Sequence, residues 1–450
     1  MEPLVLRGLP AALPTARGGT GWIAWYGLLV LIVATVFGAI DRQILVLLAE
    51  PMRHSLALSD TKLGLLQGVG ITLFAGVAAV PLGWLADRYG RRLLLAVCVL
   101  VWAAATAACG LAQDFPALFL AAAGLGIGEA GLAPIVYGLI PEIVPERRRV
   151  LANGIYALAA ILGAGLGIGL SGTLVQSLDS IRLMLPASLS GLESWRLAFL
   201  AVALPGPLVA AAILLIRLHP QRATAHEQAQ AADASLADYV RVHLRTMVGV
   251  FGGVGLAGLG LAASGNWVPI IATRSFGASA VEVGQGVGAA YLLGTVAGAL
   301  VGVGGVKLLR RRLGVATPIR VIVIGLAGAA VAGLLFLWAR SAAELYLLFG
   351  LQVAALLAGS VLAPTLLQDM TPAMLRSRVI AVGTVVMVSL QSLSPVLVGT
   401  LSDALKASPQ GLLTAVAVVG AVSLLLAAAL TQTAEAAFVR SVKTFHPELI

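Results

Sequence analysis

The chain has 450 residues, of which 59% are hydrophobic and only 11% charged, with a formal net charge of +9. A soluble domain of this composition would have to bury nearly all of its side chains, so the expected class is an all-α integral membrane protein. The basic excess is ascribed to Lys and Arg in loops on one side of a bilayer, and no nucleic-acid partner is expected.

Apolar runs long enough to cross a bilayer follow one another along the chain. The first six read as Trp22 to Leu48, Leu63 to Leu85, Leu93 to Leu111, Phe115 to Ile140, Val150 to Val175 and Trp195 to Leu218. A polar stretch, Gln176 to Ser194, precedes the sixth. The least apolar part, His219 to Asp238, suggests a surface helix or linker. Six further spans follow: Thr246 to Ala272, Val281 to Leu309, Pro318 to Ala339, Ala342 to Leu367, Val379 to Leu401 and Leu412 to Leu430. The expected organisation is an N-terminal segment 1–21, a six-helix half 22–218, a linker 219–238, a second half 239–433 and a tail 434–450. If the N-terminus is inside, the 29 Lys and Arg residues favour the cytoplasmic side by about three to one, which places both termini in the cytoplasm. Arg7 and Arg17 precede the first span without a small-residue cleavage pattern, so that span is expected to be retained. Pro134, Pro207, Pro364 and Pro395 fall inside spans and are expected to kink them. Cys98 and Cys109 share one span, too far apart along it to bridge, and read as core residues. All five His residues fall at or beyond span ends and no nucleophile–base spacing appears, so neither an enzyme nor a cofactor or metal is expected.

Gly83-Trp84-Leu85-Ala86-Asp87-Arg88-Tyr89-Gly90-Arg91-Arg92 separates the second span from the third. Gly83 and Gly90 permit a tight turn and close backbone approach. Asp87 is suited to a helix N-terminus, and Arg88, Arg91 and Arg92 hold the loop in the cytoplasm. The segment resembles the loop signature of the major facilitator superfamily, G-x-L-A-D-R-x-G-R-R. That resemblance implies twelve helices in two pseudo-symmetric halves, with this loop latching their cytoplasmic side. Arg147, in the basic run after the fourth span, is assigned to the same gate. Gly302 to Arg311 reads as a worn copy of the loop, with Val306 in the place of Asp87. Two halves with a substrate path between them follow from the repeat, and the superfamily resemblance favours a monomer.

Ionisable groups inside a bilayer are functional candidates by default. Asp41 and Arg42 lie in the outer half of the first span, and Glu129 lies near the middle of the fourth. Asp41 and Arg42 diverge by about 100° around a helix, so one must look elsewhere, and Glu129 is the expected partner of Arg42. An arginine between two carboxylates favours their charged forms while burial opposes them, a balance suited to proton coupling. The second half is almost uncharged, with Asn266, Tyr291, Gln352 and Gln391 as sparse polar points. Together with Tyr137 these are the expected cavity residues. A cavity polar on one wall and greasy on the other suits an amphiphile better than a sugar.

Asp41-Arg42, Gly64 to Gln67, and Gly126-Ile127-Gly128-Glu129-Ala130 resemble the Spinster branch of the superfamily. The resemblance implies a bacterial inner-membrane carrier of lysophospholipid or sphingosine-1-phosphate-like lipids, with the Asp, Arg and Glu of those motifs coupling transport to protons. The chain lacks the Gly-Pro pair of drug/proton antiporters in its fifth span. A proton-coupled carrier of small organic anions or drugs is the alternative reading, and a membrane sensor on the same scaffold a third.

Overall fold

The computed structural model describes residues 21–145, 148–181, 186, 190–218, 241, 243–360 and 376–445. The expected linker 219–238, Arg147 and Pro364 lie outside the described residues. The membrane-length helices are α1 Trp25–Leu47, α2 Asp60–Ala86, α3 Arg91–Leu111, α4 Phe115–Ile143, α5 (the pair Leu151–Ala160 and Gly165–Leu178, bent by 44°), α6 Ser194–Leu214, α7 Val248–Phe276, α8 Ala280–Val306, α9 Thr317–Trp338, α10 Ala342–Ser360, α11 Gly383–Ala404 and α12 Gly411–Arg440. They alternate in direction. Each therefore has one end near Asp60 and the other near Gly90, and these give the two ends of the molecule their names below.

Local chemistry sets the starts. Ser59 accepts the Lys62 N–H before α2, and Asp114 accepts the Ala117 N–H before α4. At α8, Ser279 and Glu282 cap reciprocally: Glu282 accepts the Ser279 N–H at 2.8 Å and donates its own N–H to Ser279 Oγ at 3.3 Å.

Several expectations need correction. Gly83 to Tyr89 is not loop but the last turns of a helix, and only Gly90, at φ +93°, breaks it before α3 begins at Arg91. A positive φ is cheap only for glycine, which accounts for Gly90. A side chain at Gly83 would meet open space, so the close approach expected there is absent. The second copy, Gly302 to Arg311, is helical throughout, because its helix runs on to Leu313 and the turn falls at Gly314. The polar stretch after Val175 also begins as helix, reaching Ile181. Of the prolines, Pro134 removes an N–H and crowds the carbonyl four residues back, at Ala130, and the fourth span is indeed broken at Gly131. Pro207 opens a fresh helical segment, Gly206–Leu214. Pro395 interrupts nothing, since the helix is continuous from Arg376 to Ala404. A wide π-type turn over Leu66–Leu73 within α2 had no proline to announce it.

Among the described residues, buried apolar side chains form three clusters. One spans both halves at the Asp60 end, joining Ile44, Leu48, Leu63 and Phe199 with Trp267, Phe349, Val398 and Val416. The other two lie at the Gly90 end, one within each half, around Trp102 and Tyr156 and around Leu326 and Phe438. The halves therefore share a core at the Asp60 end and part toward the Gly90 end.

Two helix seams close the shared end. In one, α2 meets α11: a methyl group at Gly64 would overlap the Pro395 carbonyl, one at Gly68 the Ser392 carbonyl, and one at Gly399 the Asp60 carbonyl. In the other, α8 meets α5: Gly284 faces the Ile168 carbonyl, Gly288 the Gly165 carbonyl, and Gly172 the Ala280 carbonyl. The spacings match contact for contact, so one packing solution occurs twice about a pseudo-twofold axis. Small residues that let backbones touch are the usual means of helix association in lipid. In α5, Gly167 similarly lies against the α1 backbone at Ala39 and Ile40.

Candidate functional site

Between the halves lies a cavity of about 880 Å³. Its polar wall carries Arg42 and Glu129 from the first half, faced by Asn266, Tyr291 and Gln391 from the second. Much of the remaining lining is apolar, with Val77, Val80, Leu261, Val385 and Val388 prominent.

Adjacent positions on α1 send Asp41 and Arg42 in different directions. Arg42 reaches α4, donating from Nε and Nη2 to Glu129 Oε2 at 3.0 and 2.6 Å. Glu129 is all but enclosed at 2% side-chain exposure, whereas Arg42 is 59% exposed and presents its guanidinium to the cavity. Asp41 turns to α3, fully buried, and its Oδ2 accepts the Thr106 hydroxyl at 2.6 Å. Arg42 is thus not held between two carboxylates as expected: its hydrogen bonds go to Glu129, and Asp41 is held by a threonine. Glu129 sits one residue before the end of the helical segment Phe115–Ala130, with the break at Gly131 directly after it. Gly126 and Gly128 pack without side chains against the backbones of Ile71 and Trp102, which draws α4 close to α2 and α3 at this level.

The other expected cavity residues divide. Asn266, Tyr291 and Gln391 line the cavity. Gln352 does not: it is fully buried in α10 with its amide against Gly333 of α9. Tyr137 is outside the lining as well, its ring edge-on to Tyr156 at 5.2 Å. Both lie on helices apolar nearly all round, where composition does not reveal which face turns inward.

At the Gly90 end the hydrogen bonds described for Arg91 and Arg92 include two that stay within the first half. Arg91 donates to Glu142 at 2.6 Å, and Arg92 donates to the Ile216 carbonyl at 2.8 Å. Arg88 stacks over Trp84 and Tyr89. The Asp87 side chain lies outside those described.

The Asp60 end holds a cluster the sequence reading missed. Arg274 of α7 grips Asp60 of α2 with both terminal nitrogens, at 2.8 and 2.9 Å, and also donates to Glu50 Oε2 at 2.8 Å. Glu50 belongs to the short helix Ala49–Ser55 between α1 and α2, where Arg53 donates to its other oxygen. Burial pushes the Glu50 carboxyl upward, but the hydrogen bonds from Arg274 and Arg53 outweigh it and hold the group below its ordinary value. Asp403 of α11 accepts the N–H groups of Asp60 and Thr61, so the N-terminus of α2 is capped from the opposite half. Ser402 adds a hydroxyl to Asp60 at 2.7 Å. The available signal was the co-location of Asp60, Arg274 and Asp403 at span ends on one predicted side.

Comparisons with known proteins agree with this geometry. The family model described as Major Facilitator Superfamily matches residues 31–320. An MFS-type efflux pump of Mycolicibacterium smegmatis is 30% identical over 200 residues, 43% of this chain and 42% of that one. The sphingosine-1-phosphate transporter of Mus musculus is 31% identical over 140 residues, 31% of this chain and 25% of that one. The chain thus spans less than half the length of either. A crystal structure of a bacterial homologue of the human lysosomal transporter Spinster, inward-facing and unoccupied, superposes with a TM-score of 0.75 at 23% identity, covering 96% of this chain and 99% of that one. The fold of twelve helices in two halves, the central cavity and the match over most of the first half and into the second together show that this chain belongs to the Major Facilitator Superfamily.

Proposed function

We propose that this protein is a proton-coupled secondary transporter of lysophospholipid or sphingosine-1-phosphate-like lipids, working by alternating access in a bacterial inner membrane. The observation that carries the reading is the division of the cavity: one exposed arginine with its enclosed glutamate on one wall, and a broad apolar lining elsewhere. An anionic headgroup placed at Arg42 competes with Glu129 for the guanidinium, and an acyl chain lies along Val77, Val80 and Val385. Protonation of Glu129 weakens its hold on Arg42, and protonation of Asp41 removes the other negative charge beside that guanidinium; either favours the exchange. The coupling ion is the proton and no cofactor is invoked. The Gly90 end, with both termini, is taken as cytoplasmic, a reading its arginines support, and the transporting unit is taken as one chain.

A second reading draws on relatives named as an L-galactonate transporter of Escherichia coli and a niacin transporter of Acinetobacter baylyi. A small anion also suits Arg42, but it would fill little of about 880 Å³ and leave the apolar wall unused. Uptake into proteoliposomes decides between them. Lysophospholipid should accumulate in response to a pH gradient in the wild type and lose that response in Asp41→Asn. Uptake of a small organic anion without any of lysolipid would reject the lipid reading.

A further inference from the structure

Among the described residues Asp41 is the least accessible charged group, and its partner has a chemical property that Arg42 lacks. Thr106 Oγ1 lies 2.6 Å from Asp41 Oδ2 and 3.0 Å from the Trp102 carbonyl oxygen of its own helix. A hydroxyl has one proton to donate and lone pairs to accept. It can satisfy only one of these two acceptors at a time. The other must then be left without it, or must itself bring a proton.

We propose that Thr106 is a positioning residue for coupling, a hydroxyl relay that serves Asp41 in both of its protonation states without movement of heavy atoms. This rests on the reading of Asp41 as a proton-coupling group. With Asp41 ionised, the Thr106 O–H donates to Oδ2. When a proton arrives from the aqueous cavity, an O–H bond forms on Oδ2 and donates to Thr106 Oγ1. The threonine proton then turns onto the Trp102 carbonyl. No bond to threonine breaks and nothing is oxidised or reduced: one proton is gained, and two hydrogen bonds reverse or change partner. Glu129 Oε1, buried and without a hydrogen-bond partner among the described residues, offers the incoming proton a station on its way. The ionisable groups acting on this site are Arg42 beside Asp41, Glu129 on α4 and Cys109 on α3.

Trp102 ties the relay to the surrounding helices. Its backbone lies against Gly128, next to Glu129, and its indole edge lies near Gly38, one turn before Asp41 on α1. The carbonyl that receives the threonine proton therefore belongs to the residue wedged between the two helices that carry the coupling charges.

The test is an infrared titration of the Asp41 carboxyl band in purified protein in liposomes, identified by its loss in Asp41→Asn, together with the pH profile of uptake. Thr106→Val keeps the shape but removes the hydroxyl from both forms, and the larger loss falls on the ionised form, whose charge-assisted hydrogen bond is the stronger. The midpoint of the band and of the uptake profile should rise together by about one pH unit. Thr106→Ser keeps the hydroxyl and should restore the wild-type midpoint. Thr106→Ala gives the same reading as valine should the branched side chain disturb folding. Unchanged midpoints in Thr106→Val and Thr106→Ala overturn the relay, while a wild-type pH profile that survives Asp41→Asn rejects the coupling role itself.

Discussion

The two ends of the molecule use arginine and carboxylate in opposite ways. At the Asp60 end, Arg274 of the second half grips Asp60 and Glu50 of the first, and Asp403 of the second caps α2 of the first. At the Gly90 end, Arg91 and Arg92 fasten α3 to Glu142 and to the Ile216 carbonyl, all within the first half. Charges that cross between halves lock a conformation, whereas charges that stay within one half stiffen a body that moves as a unit. The shared apolar cluster at one end and the separate clusters at the other follow the same division.

Arg274→Ala attacks the lock most directly. It leaves Asp60 and Glu50 without their shared cation in a largely buried setting, a loss of about 2 kcal/mol and hence about a thirtyfold shift away from the closed Asp60 end. Electron–electron distances between labels at the exposed residues Lys62 and Lys406 should lengthen markedly. An unchanged distance distribution would mean that the seams alone close this end.

Gly64→Val acts on the seam while leaving every charge in place. Its side chain overlaps the Pro395 carbonyl, so the same distances should lengthen by a somewhat smaller population shift, about tenfold. Should the closed form persist with undiminished population, the glycine contact is not what sets the approach of α2 to α11.

Acidity offers a graded version of the first experiment. The Glu50 carboxyl is held below its ordinary 4.5, so its contribution to the lock is fully present above that pH and is lost as pH falls through the lowered value. The Lys62–Lys406 distance should therefore show no Glu50-dependent change between about pH 6 and 8. Any opening caused by Glu50 should begin only in strong acid, and Glu50→Gln should remove that component.

Arg91→Ala should have the least effect. Arg91 and Glu142 are both partly exposed, and such pairs contribute about 0.2–1 kcal/mol. The melting temperature should fall by a degree or two, with the Lys62–Lys406 distances unchanged. A large change in those distances would break the contrast between the ends.

The order of spans was legible because twenty-residue apolar runs have few other uses. The approach of Arg42 to Glu129 was legible for a related reason: a charge deep in a bilayer needs a partner at the same depth, and few existed. The Arg274 cluster was hidden because charges at span ends look like solvated caps, and only the closure of two halves over them changes their meaning. Thr106 was hidden among alanines as a single hydroxyl of ordinary helix character. Gly302 to Arg311 misled in the other direction, since its glycines and basic residues mimic the first loop although only Gly314 has the positive φ that ends the helix. Tyr137 and Gln352 failed on rotation about the helix axis, which hydropathy does not encode when every face is apolar.

The duplicated glycine seams bear on how quickly the molecule can change state. Backbone pressed on backbone leaves no long side chains to interlock, so parting a seam requires no rotamer to unthread and little apolar volume to be refilled. Adhesion at that end then comes from the shared apolar cluster and from a handful of polar bonds around Asp60, all in one place. Because the two seams sit on either side of the pseudo-twofold axis and join the same two bodies, neither can part far while the other stays shut. Small residues in these positions make opening a concerted event with a low barrier, in which a few charges decide when and the glycines decide how fast.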